Sequence, residues 1–228
     1  TGCAALDDCL GGGLQPGGSV MLAGASGTGK TTLAGTVAAA ACDRGERVLY
    51  VSFEESQTAL CRAAAGTGID LQQHVDAGLL QICSRLPESA GAEQHLLAVV
   101  DALAACDAHV LVVDAVSACR RMGTEPAAFD FLVRLLTVCR QRGTTCVYTE
   151  QIKQNADPDA VSGSSLSSLL DTLIVLQYTD DGTAIGRRLL VVKSRGSAHS
   201  MAYQSFAITD HGLQLQPPAT PSAGGPRA

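Results

Sequence analysis

Tryptophan is absent from this 228-residue chain, and aromatic residues make up only 4% of it, so its core has to be built from Ala, Leu and Val. Long apolar runs are also lacking. None reaches the length of a membrane span, and no segment reads as a secretory leader. Basic charge is scarce: 22 acidic residues outweigh 16 basic ones, for a net charge of −6. A chain that neutralises many nucleic-acid phosphates carries a basic face, and nothing here points to one. Cysteine is plentiful, at nine, but no C-x-x-C pair occurs; Cys3 and Cys9 are the closest two. Most, such as Cys42, Cys106, Cys139 and Cys146, sit in apolar stretches. That suits small buried residues in a reducing cytoplasm rather than disulfides or zinc. His74, His95, His109, His199 and His211 show no metal-ligand spacing. With 46% hydrophobic and 17% charged residues, the chain is globular and long enough for one large domain with a real core.

What is present is a phosphate-binding loop. Gly24-Ala25-Ser26-Gly27-Thr28-Gly29-Lys30-Thr31 fits the pattern G-x-x-x-x-G-K-[ST] in full. An apolar strand (Ser19 to Ala23) precedes it, and an Ala-rich helix (Thr32 to Cys42) follows. Glycines let several N–H groups converge on one anion, and the helix N-terminus adds partial positive charge there. Lys30 is expected to reach the outer phosphates, and the Thr31 hydroxyl to hold Mg²⁺.

Downstream, strands are expected at Val48 to Phe53, Leu79 to Cys83, His109 to Asp114 and Thr144 to Thr149. Helices are expected at Gln57 to Ala65, Ala92 to Cys106, and from Glu125-Pro126 to Arg142. Alternating β and α segments with uniformly apolar strands predict an α/β fold with a mostly parallel sheet covered on both faces. The pattern then changes to a C-terminal antiparallel extension with strands at Asp171 to Tyr178, Arg187 to Lys193, Tyr203 to Thr209 and Leu213 to Leu215. Residues 1–215 are expected to form the domain, and 216–228, rich in Pro, Gly and Ala, a flexible tail or linker.

Three constellations could carry chemistry beside the loop. Asp114 ends the strand Val110 to Val113, where an acid near the loop can hold the Mg²⁺ shell; capping a helix is the alternative. Glu54 and Glu55 follow the strand Val48 to Phe53. If that strand lies beside the loop strand, they face the terminal phosphate and can activate a water; if not, they are a solvated helix start. Burial of both would favour a base near neutral pH. Lys193 and Arg195, on one face of a strand end, together with His199, offer a basic group that can act on another subunit, or else a solvated basic turn.

The segments Leu10-Gly11-Gly12-Gly13-Leu14, Val51-Ser52-Phe53-Glu54-Glu55-Ser56, Lys193-Ser194-Arg195-Gly196-Ser197 and Phe206-Ala207-Ile208-Thr209-Asp210-His211-Gly212, with the loop, strongly resemble the KaiC-like branch of the RecA superfamily of P-loop ATPases. The likeness runs from Thr1 to about Leu215. It implies ATP bound with Mg²⁺ between subunits of a hexameric ring, in the cytoplasm and away from membranes, with regulatory protein partners. It also implies that Gly27, Thr28, Gly29, Lys30, Thr31 and Thr32 bind phosphates and metal, that Glu54 and Glu55 are the catalytic carboxylates, and that Glu55 shares the metal with Thr31 and Asp114. Lys193, Arg195 and His199 would reach the neighbour's ATP, and Ile208, Thr209 and Asp210 would lie near the nucleoside. Ser167 and Ser168 stand where the family's clock proteins phosphorylate themselves, with Ser in place of Thr; the Ser-rich stretch Ser162 to Ser168 reads equally well as a flexible loop. Ala115 stands where a hydroxyl residue is usual, and one domain is visible where the clock proteins have two.

The expected function is ATP hydrolysis serving as a conformational switch. A DNA recombination ATPase is one alternative, but Glu150 to Asp171, where such proteins grip DNA, has Lys153 against Glu150, Asp157, Asp159 and Asp171, and no aromatic. A nucleotide-sensing signalling module with little turnover is the other.

Overall fold

The apolar segments of the sequence become the inner strands of a nine-stranded sheet, in a computed structural model that describes residues 1–154, 167–180 and 182–216. In chain order the strands are β1 (Ser19–Gly24), β2 (Val48–Ser52), β3 (Leu80–Ser84), β4 (Val110–Asp114), β5 (Thr145–Gln151), β6 (Thr172–Asp180), β7 (Ile185–Ser194), β8 (Gln204–Thr209) and β9 (Gly212–Leu215). Across the sheet the order is β3-β2-β4-β5-β1-β6-β7-β8-β9. All pairings from β3 to β6 are parallel, and those from β6 to β9 are antiparallel.

The α-helices are α1 (Ala4–Cys9), α2 (Lys30–Asp43), α3 (Gln57–Ala65), α4 (Leu71–Asp76), α5 (Ala92–Cys106) and α6 (Glu125–Arg142). Alternate residues of each inner strand feed two separate cores. Val20, Leu22, Tyr50, Val112 and Val147 pack with Leu6, Leu33, Val37, Leu60 and Leu71 of α1 to α4. Met21, Ala23, Leu49, Val113 and Tyr148 pack on the other face with Val99, Leu103, Phe131 and Leu135 of α5 and α6. Every residue of β1, β2 and β4 is buried, as expected of strands covered on both sides. Local signals fix the helix ends. The Thr124 hydroxyl accepts from the Ala127 N–H at the start of α6, and Gly143 closes it at φ 71°.

The mixed α/β architecture matches the sequence expectation, with two differences. The strand expected from Asp171 pairs with β1 in parallel, Val20 opposite Thr172, so it completes the parallel core as well as starting the antiparallel run. The helices α1 and α4, six residues each, went unpredicted because so few residues show no clear 3.6 period.

Asp171 itself precedes β6 and ties it to the start of β1. Its Oδ2 accepts from the Ser19 N–H at 3.0 Å and the Ser19 hydroxyl at 2.6 Å. Burial would raise its pKa, but those hydrogen bonds and the charges of Arg140 and Arg195 outweigh it and hold the carboxyl below its usual range. Asp171→Asn should therefore destabilise the chain at pH 7 by about 1–2 kcal/mol in urea titrations. Because the folded pKa is depressed, the wild-type advantage is fully present above the ordinary carboxylate range and should vanish as acid protonates Asp171 in the folded state.

Candidate active site at the phosphate-binding loop

Between β1 and α2 the chain makes a loop that requires glycine at three positions. Gly27 and Gly29 have φ of 75° and 108°. A Cβ at Gly24 would stand 2.6 Å from both the Leu176 carbonyl oxygen and Thr28 Oγ1. At Gly27 it would meet the Tyr178 hydroxyl at 2.5 Å, and at Gly29 the Ile208 Cδ1 at 2.9 Å. The loop is drawn together through one carbonyl: the Thr28 hydroxyl and Lys30 Nζ both donate to Ala25 O, each at 2.8 Å. Two side chains of the same subunit lie over it. The Tyr178 hydroxyl donates to Ser26 O at 3.3 Å, and Arg187 donates to Gly27 O at 3.4 Å while sitting over the Tyr178 ring. Thr31 and Thr32 fall in the first turn of α2.

The acidic residues reach this loop by a route the sequence did not specify. The strand of Asp114 and the strand leading to Glu54 are not beside β1: β5 separates β1 from β4, and β2 lies beyond β4. Register nevertheless brings their ends to one level. Ser52 is opposite Asp114, Val113 opposite Tyr148, and Glu150 opposite Ala23. Lys30 is buried here. Desolvation lowers its pKa, while the charges of Asp114, Glu54 and Glu150 pull it back up.

Asp114 is buried and doubly held, by the Tyr50 hydroxyl at 2.8 Å on Oδ2 and by the Thr149 hydroxyl on Oδ1. A carboxylate has about four acceptor positions, so it retains capacity for water or a cation. Glu54 and Glu55 lie just past β2 and are both exposed, so the condition of joint burial is not met. The Glu55 N–H donates to Ser52 Oγ at 3.0 Å, and Ser56 caps α3. Partial desolvation, then the charges of Asp114 and Glu54, raises the Glu55 pKa. No cluster of three or more His, Cys, Asp or Glu among the described residues is arranged to hold a metal. An ion here would share its ligands with phosphates, as Mg²⁺ does, and the hydroxyl and carboxylate donors fit it.

The basic group lies elsewhere. Lys193 is on β7, opposite Leu173 near the start of β6, and Arg195 is just past the strand. The expected shared strand face therefore applies only to Lys193. Both residues are at the sheet end remote from the loop. The Arg195 guanidinium donates to Ser168 O at 2.8 Å. Ser167 and Ser168 belong to a 3-10 turn at the same remote end, while residues 155–166 fall outside the described residues. His199 is half-buried beside α1, its Nε2 enclosed without a partner among the described residues. By contrast Ile208 packs against Gly29 of its own loop, and the Thr209-Asp210 turn docks on the end of α3.

Sequence reasoning missed five participants: Glu150, Thr149, Tyr50, Tyr178 and Arg187. Glu150 follows a buried strand as Asp114 does, so its signal was legible; the others depend on pairing across the sheet. Five of the nine cysteines (Cys42, Cys61, Cys119, Cys139 and Cys146) are buried as expected, whereas Cys3, Cys9, Cys83 and Cys106 are only half-buried. Burial pushes Cys42 up to about 11 and Cys119 to about 12. No helix among the described residues is long and apolar enough to cross a membrane.

A glycine loop from strand to helix, a buried lysine and acids on neighbouring strand ends, in this sheet order, define a P-loop ATPase fold of the RecA type. The chain belongs to the KaiC ATPase family, whose model matches residues 1–220. It is 32% identical over 216 residues to the circadian clock oscillator proteins KaiC of Parathermosynechococcus lividus and Thermostichus vulcanus, and 31% identical to KaiC 1 of a Synechocystis strain. Each match covers 95% of this chain but only 40–42% of the relative, so the chain spans less than half the length of these proteins.

Gly27→Ala tests the loop geometry. It should lower the melting temperature by roughly 2–8 °C, since left-handed backbone costs ~1–2 kcal/mol with a Cβ, and weaken binding of a fluorescent ATP analogue about tenfold or more as the strained loop leaves its phosphate-holding shape. Adding Tyr178→Phe should restore only part of the loss, because the backbone strain remains.

Proposed function

We propose that this chain binds and hydrolyses ATP, and that each site is completed by a neighbouring subunit in a ring. The observation that supports this most is the convergence of the glycine loop, Lys30 and the acidic strand ends at one end of the sheet, with Lys193 and Arg195 at the other. β1 alone is roughly 16 Å long, so these basic side chains serve a nucleotide on another subunit better than their own.

Lys30 exchanges the Ala25 carbonyl for the outer phosphates, where its charge stabilises the transferring group. Backbone N–H groups from Gly27 to Thr32 hold the phosphates. Thr31, Asp114 and Glu55 would hold Mg²⁺, which supplies charge neutralisation. Glu54 and Glu55 orient the attacking water and accept its proton. Arg195 of the adjacent subunit, with Lys193 and His199, balances charge developing on the terminal phosphate. Ile208, Thr209 and Asp210 line the nucleoside side of the same subunit's loop. Residues 1–215 form the ATPase unit, and 216–228 link it to whatever follows or end it. We read hydrolysis here as a conformational switch for regulatory protein partners in the cytoplasm. Phosphotransfer to Ser167 or Ser168 would draw on a neighbour's nucleotide, because both serines sit at the remote end.

The double variant Glu54→Gln, Glu55→Gln should still bind ATP when magnesium is withheld and, with magnesium, release phosphate at least about a hundredfold more slowly. Unchanged release would remove both as catalysts. Composite sites predict complementation: Lys30→Ala and Arg195→Ala, each inactive alone, should regain phosphate release when mixed, with native mass spectrometry reporting the mixed rings.

A further inference from the structure

The tip of β5 carries a carboxylate that the reaction above does not use. Glu150 is next to the loop strand: it pairs with Ala23, Gln151 pairs with Gly24, and the Ile152 N–H donates to Gly24 O at 3.1 Å. Its side chain is 14% exposed. One oxygen, Oε1, lies 3.5 Å from the Arg120 guanidinium, in the 3-10 turn (Val116–Met122) after β4. The other, Oε2, is enclosed and has no hydrogen-bond partner among the described residues. An enclosed oxygen without a donor is better tolerated on a neutral carboxylic acid than on a carboxylate.

The groups facing it are few. Arg120 and, from α2, Lys30 favour its charged form, and the buried Cys119 thiol sits in the same turn as Arg120. Arg120 is largely exposed, so water and salt screen its help. Burial wins, and the carboxyl is pushed up to about 7.

We propose that Glu150 takes up a proton when ATP fills the phosphate loop, so that this chain links nucleotide binding to pH through the strand beside its own loop. The inference rests on the ATP-binding reading. Two changes drive it in the same direction. Lys30, one of the two cations that hold Glu150 ionised, is drawn to the phosphates. The phosphates, whose charge exceeds that of the accompanying Mg²⁺, also bring net negative charge to the backbone next to Glu150. The proton comes from solvent and converts the carboxylate to the acid, with no other bond made or broken. The protonated form is then the one that binds, so affinity is full below the free pKa of Glu150 and falls as pH rises through it.

Isothermal titration of ATP with magnesium, between pH 6 and 8 in buffers of different ionisation enthalpy, tests this on the wild type and on Glu150→Gln. The wild type should take up a fraction of a proton near pH 7.5 and bind about five- to tenfold more weakly at pH 8 than at pH 6. Glu150→Gln, which mimics the neutral acid, should lose that uptake and bind at pH 8 at least as tightly as the wild type. Arg120→Ala is an independent probe that leaves Glu150 in place. It should shift the onset of uptake to higher pH. Equal uptake in wild type and Glu150→Gln would overturn the proposal. So would a folded Glu150→Gln that has lost affinity, or an Arg120→Ala profile identical to the wild type. Failure of the ATP reading itself looks different: no binding heat in any variant.

Discussion

The parallel hydrogen-bond register running from β2 through β4 and β5 to β1 is the constraint on which the site depends. It sets Ser52 opposite Asp114, and Glu150 opposite Ala23, at the level where β1 enters the glycine loop. No contact between an acid and the loop strand is needed, because the ladder transmits position across two intervening strands. A one-residue slip of β4 would turn Asp114 to the other face of the sheet and separate it from the Tyr50 and Thr149 hydroxyls that hold it. Burial of every residue in β1, β2 and β4 makes such a slip costly, since each strand packs both of its faces.

A second consequence of the ladder is electrostatic. Lys30 feels the charges of three acids, Asp114, Glu54 and Glu150, around a loop built to receive phosphates. Lys30 is buried yet remains compensated because three acids share it. Drawing that single ammonium toward a ligand changes the balance for all three, and Glu150, the one with an enclosed and unsatisfied oxygen, has the least alternative support. Groups displaced from their usual pKa, as Lys30, Glu55 and Glu150 are, gathered at one loop are the ordinary mark of a working site.

Much of this was legible in the sequence. The loop, the uniformly apolar strands and the long helices α2, α5 and α6 announce themselves through composition and period. The resemblance to KaiC-like ATPases was readable from short segments spread along the chain. What one dimension hides is strand order. Nothing in Val48 to Ser52 says that two strands separate it from β1, nor that Thr172 to Asp180 pairs in parallel with β1 before the chain reverses. Residues whose importance comes from pairing, such as Thr149 and Tyr178, were invisible for that reason. Glu150 carries a local signal, since it follows a buried strand just as Asp114 does. That signal is masked by the polar residues after it, which read as the start of a loop. The exposure of Glu54 and Glu55 also depends on where β2 sits, near the outer part of the sheet.

One strand joins the two ends of the molecule. β7 is ten residues long, roughly 30 Å, and touches its own phosphate loop through Arg187 at Gly27 while ending at Lys193 and Arg195. A hydrogen-bonded strand is stiff along its length, so it works as a push-rod. In the ring proposed above, a shift of one loop would be felt at the basic tip of the same strand, which would couple successive sites as a relay.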